Sequence, residues 1–127
     1  MQRFEDLIVW QRAHHLVLEI YRATMSFPSE ELYGLVSQMR RAAVAIPANV
    51  VEGHRRRSKR EFSSFVSIAT GSLEEVKYYV RLSRDLAYLS GDLAASLSAL
   101  AEEVGRMLHG LKTHIKEELS DEKMAHT

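Results

Sequence analysis

Apolar residues recur every three to four positions along most of this chain, which is the spacing of amphipathic α-helices and not of β-strands. The pattern predicts four helices: Asp6–Met25, a second that follows Ser29 and ends at Gly53, Lys59–Leu89, and a fourth that follows Ser90. Short connections between helices of this length are typical of an all-α, up-down-up-down four-helix bundle. We assign residues 1–119 to the bundle. Residues 120–127 lack apolar periodicity, so they are predicted to form a frayed C-terminal tail.

The first predicted helix carries two apolar stripes side by side. One stripe is Val9, Ala13, Leu16, Ile20 and Ala23, and the other is Leu7, Trp10, Val17, Tyr21 and Met25. Together they cover ~200° of the helix, whereas a surface helix needs an apolar arc of only ~100°. Because one neighbour cannot cover so wide an arc, the pattern predicts association between chains, which means a homo-oligomer.

The third predicted helix shows the same doubling. Its main stripe runs from Phe62 to Ala87, and a second stripe comprises Ile68, Tyr79, Leu82 and Leu86. Gly71 lies in the middle of this helix, where glycine costs ~1 kcal/mol relative to alanine. We therefore expect another backbone to pack closely against Gly71.

Serine residues mark the predicted starts of the second and third helices. Ser29 precedes two glutamates and suits an N-cap, because its hydroxyl can accept from the first free backbone N–H groups. Ser58 and Glu61 form an S-x-x-E capping box directly before an apolar run. The connection between the two helices is therefore expected to be short.

Pro47 lies inside the apolar pattern of the second helix and predicts a kink, because proline lacks a backbone donor and clashes with the preceding turn. Arg41, Asn49 and Glu52 surround it. Arg41 and Glu52 are too far apart in sequence for an i,i+4 contact, so each is expected to find a partner on another helix. We interpret the three as a structural polar network that holds the kinked helix, and the alternative is a catalytic site.

Composition narrows the class of protein. The 127 residues suit one domain, and 17 Lys+Arg balance 17 Asp+Glu, giving a net charge of zero. There is no cysteine, which excludes disulfides, thiolate zinc sites and cysteine nucleophiles. No apolar run approaches the ~18 residues of a membrane span, and acids stand where a signal peptide needs bases. We expect a soluble, cytoplasmic protein with no membrane partner.

No motif for catalysis or for a cofactor occurs in the chain. Glu-x-x-His, H-E-x-x-H, G-x-S-x-G, the P-loop and G-x-G-x-x-G are all absent. His114 and Glu118 stand at i,i+4, the spacing of an ordinary helix pair. His14 lies in the apolar arc beside Trp10 and is expected to be an interior or interface histidine. We predict no catalytic residues, no metal site and no cofactor, and therefore no enzyme.

The most distinctive charged segment is the basic turn, Arg55–Arg60, with five cations in six positions: Arg55, Arg56, Arg57, Lys59 and Arg60. Cations at the end of the second helix complement its dipole, which accounts for the first three. Lys59 and Arg60 open the third helix, where the dipole prefers acids. One interpretation is an RNA- or DNA-binding patch. The other is a solvated loop that acids of the last helix neutralise, namely Glu117, Glu118, Asp121 and Glu122.

A family resemblance covers nearly all of the chain. It rests on Phe4-Glu5-Asp6-Leu7 with Trp10, on Gln38–Ala43, on Ile46-Pro47-Ala48-Asn49-Val50-Val51-Glu52-Gly53, and on Arg57-Ser58, Glu61-Phe62, Phe65, Ala69 and Gly71–Glu75. These residues resemble the four-helix-bundle proteins encoded in intervening sequences of bacterial 23S ribosomal RNA. Val51 departs from the family pattern, in which alanine is commoner at this position.

The resemblance also carries expectations about assembly and partners. The family is similar to the accessory protein of diversity-generating retroelements, a homopentamer that binds nucleic acid and a reverse transcriptase. It therefore implies a pentameric, non-enzymatic protein that associates with RNA or DNA. The alternative is a protein–protein adaptor or scaffold whose basic turn contacts an acidic partner or a reverse transcriptase.

Overall fold

The computed structural model describes residues 3–125, which form four long helices and no strand within that range. The helices are α1 (Ile8–Thr24), α2 (Ser37–His54), α3 (Lys59–Asp85) and α4 (Gly91–Ala125). Short 3-10 turns at Phe4–Asp6 and Ser29–Glu31 and a π-helical turn at Leu32–Val36 precede α1 and α2. The predicted all-α four-helix bundle is confirmed.

The core lies between the four helices, with α1 packed on α2 and α4, and α3 packed on α2 and α4. All five residues of the first α1 stripe are buried, as the periodicity predicts. The second stripe is not: Val17 is buried, but Tyr21 and Met25 are exposed by 40% and 78%. Pro47 is buried inside α2. The kink at Pro47 and the up-down-up-down order stay predictions.

The start of α2 differs from the prediction. No side-chain cap forms at Ser29, and the regular helix begins only at Ser37. Gly34 has φ −110° and ψ −109°, a non-helical conformation that interrupts the turns before α2. The Glu31 carboxylate accepts hydrogen bonds from the backbone N–H of Leu35 at 3.4 Å and from the Tyr88 hydroxyl at 2.9 Å. Glu31, and not Ser29, therefore anchors this segment, because it reaches the α3–α4 connection.

The end of α3 also falls earlier than Leu89. Ala87 adopts φ 64°, a left-handed conformation, so the helix cannot continue through it. The backbone N–H of Ala87 donates to Arg84 and that of Tyr88 donates to Ser83, both at 2.9 Å, which is the Schellman pattern of a helix end. Ala87 is exposed, so its assignment to the apolar stripe of the third helix is wrong.

The C-terminal segment is helical further than the sequence indicates. α4 continues past residue 119 to Ala125, whereas the pattern places the end of the bundle at 119. The Lys59 ammonium of α3 lies 3.0 Å from the Glu118 carboxylate and 2.5 Å from that of Glu122, which ties this part of α4 to its neighbour. Residues 126–127 of the predicted tail lie outside the described residues.

Two glycines contrast in their surroundings. A Cβ on Gly53 would lie 2.8 Å from both Phe62 Cδ1 and Phe65 Cβ, so α2 and α3 approach each other closely only because this residue is glycine. A Cβ on Gly71 would meet no other atom within 4 Å among the described residues. The close packing predicted at Gly71 is therefore wrong within one chain.

Candidate nucleic-acid interface

The basic turn is held in a fixed position between α2 and α3. The Ser58 hydroxyl accepts a hydrogen bond from the backbone N–H of Glu61 at 3.2 Å, as the capping box predicts. On the other side of the turn, Gly53 packs against the ring of Phe62. Because both flanking helices are anchored so close to the turn, its five cations project from a defined end of the bundle.

Two of the five cations are paired with one acid in the last turn of the preceding helix. The Arg55 guanidinium lies 3.2 Å from the Glu52 carboxylate, and that of Arg56 lies 2.7 Å from it. The Arg56 guanidinium also lies over the Phe65 ring, 5.1 Å from its centroid. One carboxylate shared by two guanidinium groups leaves a net positive charge at this end of α2.

Lys59 is a structural contact between helices. Its hydrogen bonds to Glu122 and Glu118 raise the pKa of its ammonium. The helix dipole does not favour a cation such as Lys59 at the start of α3, but the acids of α4 stabilise it there. Of the four acids expected to neutralise the turn, Glu118 and Glu122 fill that role for Lys59, whereas Glu117 and Asp121 do not contact it.

Arg57 and Arg60 are exposed, and their guanidinium groups form no ion pair or hydrogen bond with any residue in the range 3–125. Arg60 lines a surface cavity of about 500 Å³ together with Lys116, Lys123, Leu119, Ser120 and Glu122. The sequence analysis missed Lys116 and Lys123. Their spacing of seven residues places them on one face of α4, a signal that the sequence contains but that only the packing of α4 beside Arg60 makes meaningful.

The structure does not bring Arg41, Asn49 and Glu52 together, which corrects the predicted polar network. Glu52 pairs within its own helix end, because Arg55 and Arg56 stand three and four residues away. The Asn49 side-chain amide donates to the backbone carbonyl of Ala45 at 2.7 Å. Arg41 is exposed and has no partner among the described residues.

Arg40 makes the contact between helices that the network was expected to provide. Its Nε donates to the Thr24 hydroxyl at 3.0 Å, and its Nη2 donates to the backbone carbonyl of Tyr21 at 3.4 Å. The Arg40 guanidinium also lies 4.6 Å from the centroid of the Tyr21 ring. Arg40 thereby joins α2 to the end of α1, one position away from the residue that sequence reasoning chose.

His14 is exposed and stacks on Trp10, with the ring centroids 5.1 Å apart and the planes 5° from parallel. It is therefore not an interior residue of the single chain. His114 Nε2 lies 2.9 Å from the Glu118 carboxylate, the expected i,i+4 pair. Residues 3–125 contain no group of three or more His, Asp or Glu side chains arranged to hold a metal ion. No helix in the same range is long and apolar enough to cross a membrane.

A second surface feature is the α1–α2 groove, a cavity of about 600 Å³ lined by Tyr21, Leu32, Tyr33, Val36, Ser37, Arg40, Arg41, Val44 and Ala45. Tyr33 is 92% exposed, and Tyr21 and Val44 are each 40% exposed. The Arg40 guanidinium lies over the Tyr21 ring, whereas no part of the described chain covers Tyr33. Tyr21 is the residue that the second apolar stripe of α1 contributes to this groove.

Comparisons with known proteins agree with this architecture. Residues 5–110 match the model of the 23S rRNA-intervening sequence protein family. The chain is also similar in fold to a protein of unknown function from the S23 ribosomal protein family of Bacteroides thetaiotaomicron. The TM-score is 0.77 at 18% identity, and the match covers 84% of this chain and 96% of that one. No curated protein gives a significant match.

Proposed function

The chain belongs to the 23S rRNA-intervening sequence protein family, and from that premise we propose that it is a non-enzymatic cytoplasmic protein of bacteria that binds RNA or DNA through its basic turn. Binding is by charge to the phosphates, and base stacking does not contribute at the turn, because no aromatic residue interrupts Arg55–Arg60. The proposed interface comprises Arg55, Arg56, Arg57, Lys59 and Arg60.

The observation that carries this proposal is the pair of free cations, Arg57 and Arg60. Both are exposed, and neither has a partner within the described chain, so neither stabilises the fold by pairing. Each can neutralise a phosphate and release its counterion, which is the main source of sequence-independent affinity for nucleic acid. Lys59 contributes less than the sequence indicates, because Glu118 and Glu122 already neutralise it.

The test is fluorescence anisotropy with labelled single-stranded RNA and duplex DNA of mixed sequence. Replacing Arg56, Arg57, Lys59 and Arg60 with glutamine should abolish binding, and each lost phosphate contact should flatten the slope of log K against log salt by about 0.7–0.9. A variant with only Arg57 and Arg60 replaced should lose most of the binding with an unchanged circular dichroism spectrum. Parental affinity in the fourfold variant at low salt would contradict the proposal.

We further propose that the protein assembles with copies of itself, as a homopentamer on the family resemblance. The α1–α2 groove supports assembly, because a soluble monomer rarely leaves so many large apolar side chains together at its surface. The exposed Ile68 on α3 also supports it, because a monomer gains nothing from an isoleucine in water. A ring would use two different faces of each chain in head-to-tail contacts.

Sedimentation equilibrium and light scattering test this assembly. Replacing Leu18 and Val44 with glutamate should dissociate the oligomer, because both residues lie on the exposed apolar side of α1 and α2. A matched control is Leu93→Glu, an equally exposed leucine at the start of α4, which should leave the assembly intact. A single 14.5 kDa species at micromolar concentration for the parent chain would contradict assembly.

A second candidate function is a protein–protein adaptor, and the α1–α2 groove is the observation that favours it. In that case the groove or the basic turn binds an acidic protein, or a reverse transcriptase if the gene lies in a retroelement. Nucleic acid that copurifies with the parent chain but not with the fourfold variant supports nucleic-acid binding. Retention of an acidic protein by both forms supports the adaptor.

A further inference from the structure

We propose that the phosphodiester backbone of one nucleic-acid strand lies along the α3–α4 groove, which begins at Arg60 and runs away from the basic turn. The groove is defined by Arg60, Ser67 and Thr70 of α3 and by His109, Lys112, Lys116 and Lys123 of α4. This inference rests on the proposed function. It extends that function by assigning a binding track to residues outside the turn.

The part of the groove far from the turn is a cavity of about 280 Å³ lined by Ser67, Thr70, Gly105, Leu108, His109 and Lys112. Lys112 Nζ hydrogen-bonds to the Ser67 hydroxyl, which holds the ammonium between the two helices. Ser67 and Thr70 donate their hydroxyl protons to backbone carbonyls one turn earlier, at 3.2 Å and 3.0 Å. Both hydroxyls can rotate to donate to a phosphate oxygen instead, because the carbonyls they leave keep their helical hydrogen bonds.

The part near the turn is the cavity that Arg60, Lys116 and Lys123 line. These three cations have no ion-pair partner in the described part of the chain. Glu122 also lines the cavity and lies 2.5 Å from Lys59 Nζ, so the lining holds three cations against one carboxylate. The charge presented to a ligand at this position is therefore positive.

The two cavities belong to one continuous track. On α4, the residues Gly105, His109, Lys112, Lys116 and Lys123 follow one another at steps of three, four or seven residues, so they share a helix face. At ~1.5 Å per residue this face is ~27 Å long. At its far end Lys77 lies 3.1 Å from both Glu74 and Glu102, so the charge there is no longer positive. The positive track thus has a defined length and ends at this cluster.

The chemistry of the lining favours a phosphodiester strand over an acidic protein segment. Ammonium, guanidinium, imidazole and hydroxyl groups all donate hydrogen bonds to phosphate oxygens. The floor residue Leu108 is buried, and no aromatic side chain lines either cavity, so an acidic helix would find no apolar anchor. Because packed helix axes lie only ~8–10 Å apart, the groove admits one strand and leaves the bases facing outward.

The test compares two variants with the same change in net charge. The groove variant replaces Lys112, Lys116 and Lys123 with glutamine. The control replaces Arg22, Arg81 and Arg84 with glutamine; these exposed arginines lie near the C-terminal ends of α1 and α3, away from the groove. Binding of labelled single-stranded RNA should weaken at least about tenfold in the groove variant, with a salt slope flatter by about 2, and change little in the control.

The arms of the experiment distinguish the possible outcomes. If the groove variant and the control bind RNA with equal affinity, the track is overturned. If the fourfold variant keeps the parental affinity, the proposed function is overturned instead. Competition by poly-L-glutamate as strong as by RNA at equal charge overturns recognition of phosphate. If a duplex binds as tightly as single-stranded RNA, the track is supported and the bound strand belongs to a duplex. If the duplex binds more weakly, the bound strand is unpaired.

A second measurement uses the unaltered protein, so it does not depend on the folding of a variant. Amine acetylation followed by mass spectrometry should show Lys112, Lys116 and Lys123 protected when single-stranded RNA is added. Lys77, just beyond the track, serves as the internal reference and should react equally with and without RNA. Unchanged acetylation of all four lysines under binding conditions would overturn the assignment.

Discussion

The two ends of the bundle differ in how many of their cations contact other residues. At the end where α3 terminates, Arg40 contacts Thr24 and the Tyr21 ring, Glu31 accepts from Tyr88, and Arg81 and Arg84 both reach Asp85. At the end where α3 begins, ~40 Å away along the helix, Arg57, Arg60, Lys116 and Lys123 have no ion-pair partner in the described part of the chain.

This difference separates charges that build the fold from charges that do not. Cations that lie together without acids repel one another, so they add nothing to the stability of the chain alone. The end with the free cations owes its structure to apolar packing of Gly53 on Phe62 and Phe65 and to the contact of Lys59 with Glu118 and Glu122. The free cations are not needed for the fold, and the packing beneath them holds them in place, so this surface is suited to binding a polyanion.

The largest effect on stability is expected from adding a side chain to Gly53, which packs on α3 beneath the free cations. Gly53→Ala would place a Cβ 2.8 Å from Phe62 and Phe65, and overpacking of ~1–3 kcal/mol outweighs the gain of ~1 kcal/mol in helix propensity. We expect a net loss of up to ~2 kcal/mol in the free energy of unfolding, measured in urea. The matched control is Gly71→Ala, which meets nothing within 4 Å. It should stabilise a single chain by up to ~1 kcal/mol, and equal losses in both variants would contradict this account of Gly53.

The next effect concerns the opposite end, where Ala87 holds φ 64°. Ala87→Gly relieves ~1–2 kcal/mol of left-handed strain. The unfolded chain gains flexibility from glycine, which offsets ~0.4–1 kcal/mol of this gain. We therefore expect stabilisation of ~0.5–1 kcal/mol, measured as a rise in the thermal midpoint. A variant no more stable than the parent would mean that the end rich in polar contacts stores no strain at this turn.

A smaller effect should separate a paired cation from a free one within the basic turn. Lys59→Gln removes the contact with Glu118 and Glu122 and should lower the thermal midpoint, whereas Arg60→Gln should leave it unchanged. High salt should shrink the difference, because it screens exposed ion pairs. Equal midpoints for the two variants at low salt would remove the distinction drawn here between Lys59 and Arg60.

The smallest effect is expected at the α1–α4 contact between the two ends. Arg12 donates two hydrogen bonds to Glu103, at 3.0 Å and 2.9 Å, and holds the pKa of that carboxyl below its usual range. Since the folded pKa is the lower one, this contribution is present above the unfolded pKa and is lost as the pH falls through the folded one. Glu103→Gln should therefore be less stable than the parent at neutral pH and converge with it in acid. Arg12→Gln should show the same convergence, and a constant difference across the titration would contradict the assignment.

Sequence reasoning succeeded for features that residues close together on one helix determine. The 3.6-residue period places Val9, Ala13, Leu16, Ile20 and Ala23 on one face of α1, and all five are buried. The Ser58–Glu61 cap forms because its partners stand within one turn of each other. Sequence reasoning failed at Ala87, because nothing in a periodic apolar pattern indicates that an alanine will adopt a left-handed conformation.

The candidate site follows the same division. By itself the sequence determined that five cations stand at the turn between two helices. It did not lead to the pairing of Glu52 with Arg55 and Arg56, because Glu52 was expected to find its partner on another helix. Only the tertiary structure decided that Lys59 meets Glu122 and that Lys116 and Lys123 lie beside Arg60. Those contacts join residues more than fifty positions apart, and the rotation of each helix about its own axis sets them. That rotation is fixed by how the buried side chains of all four helices fit together, which a periodic pattern in one helix does not specify.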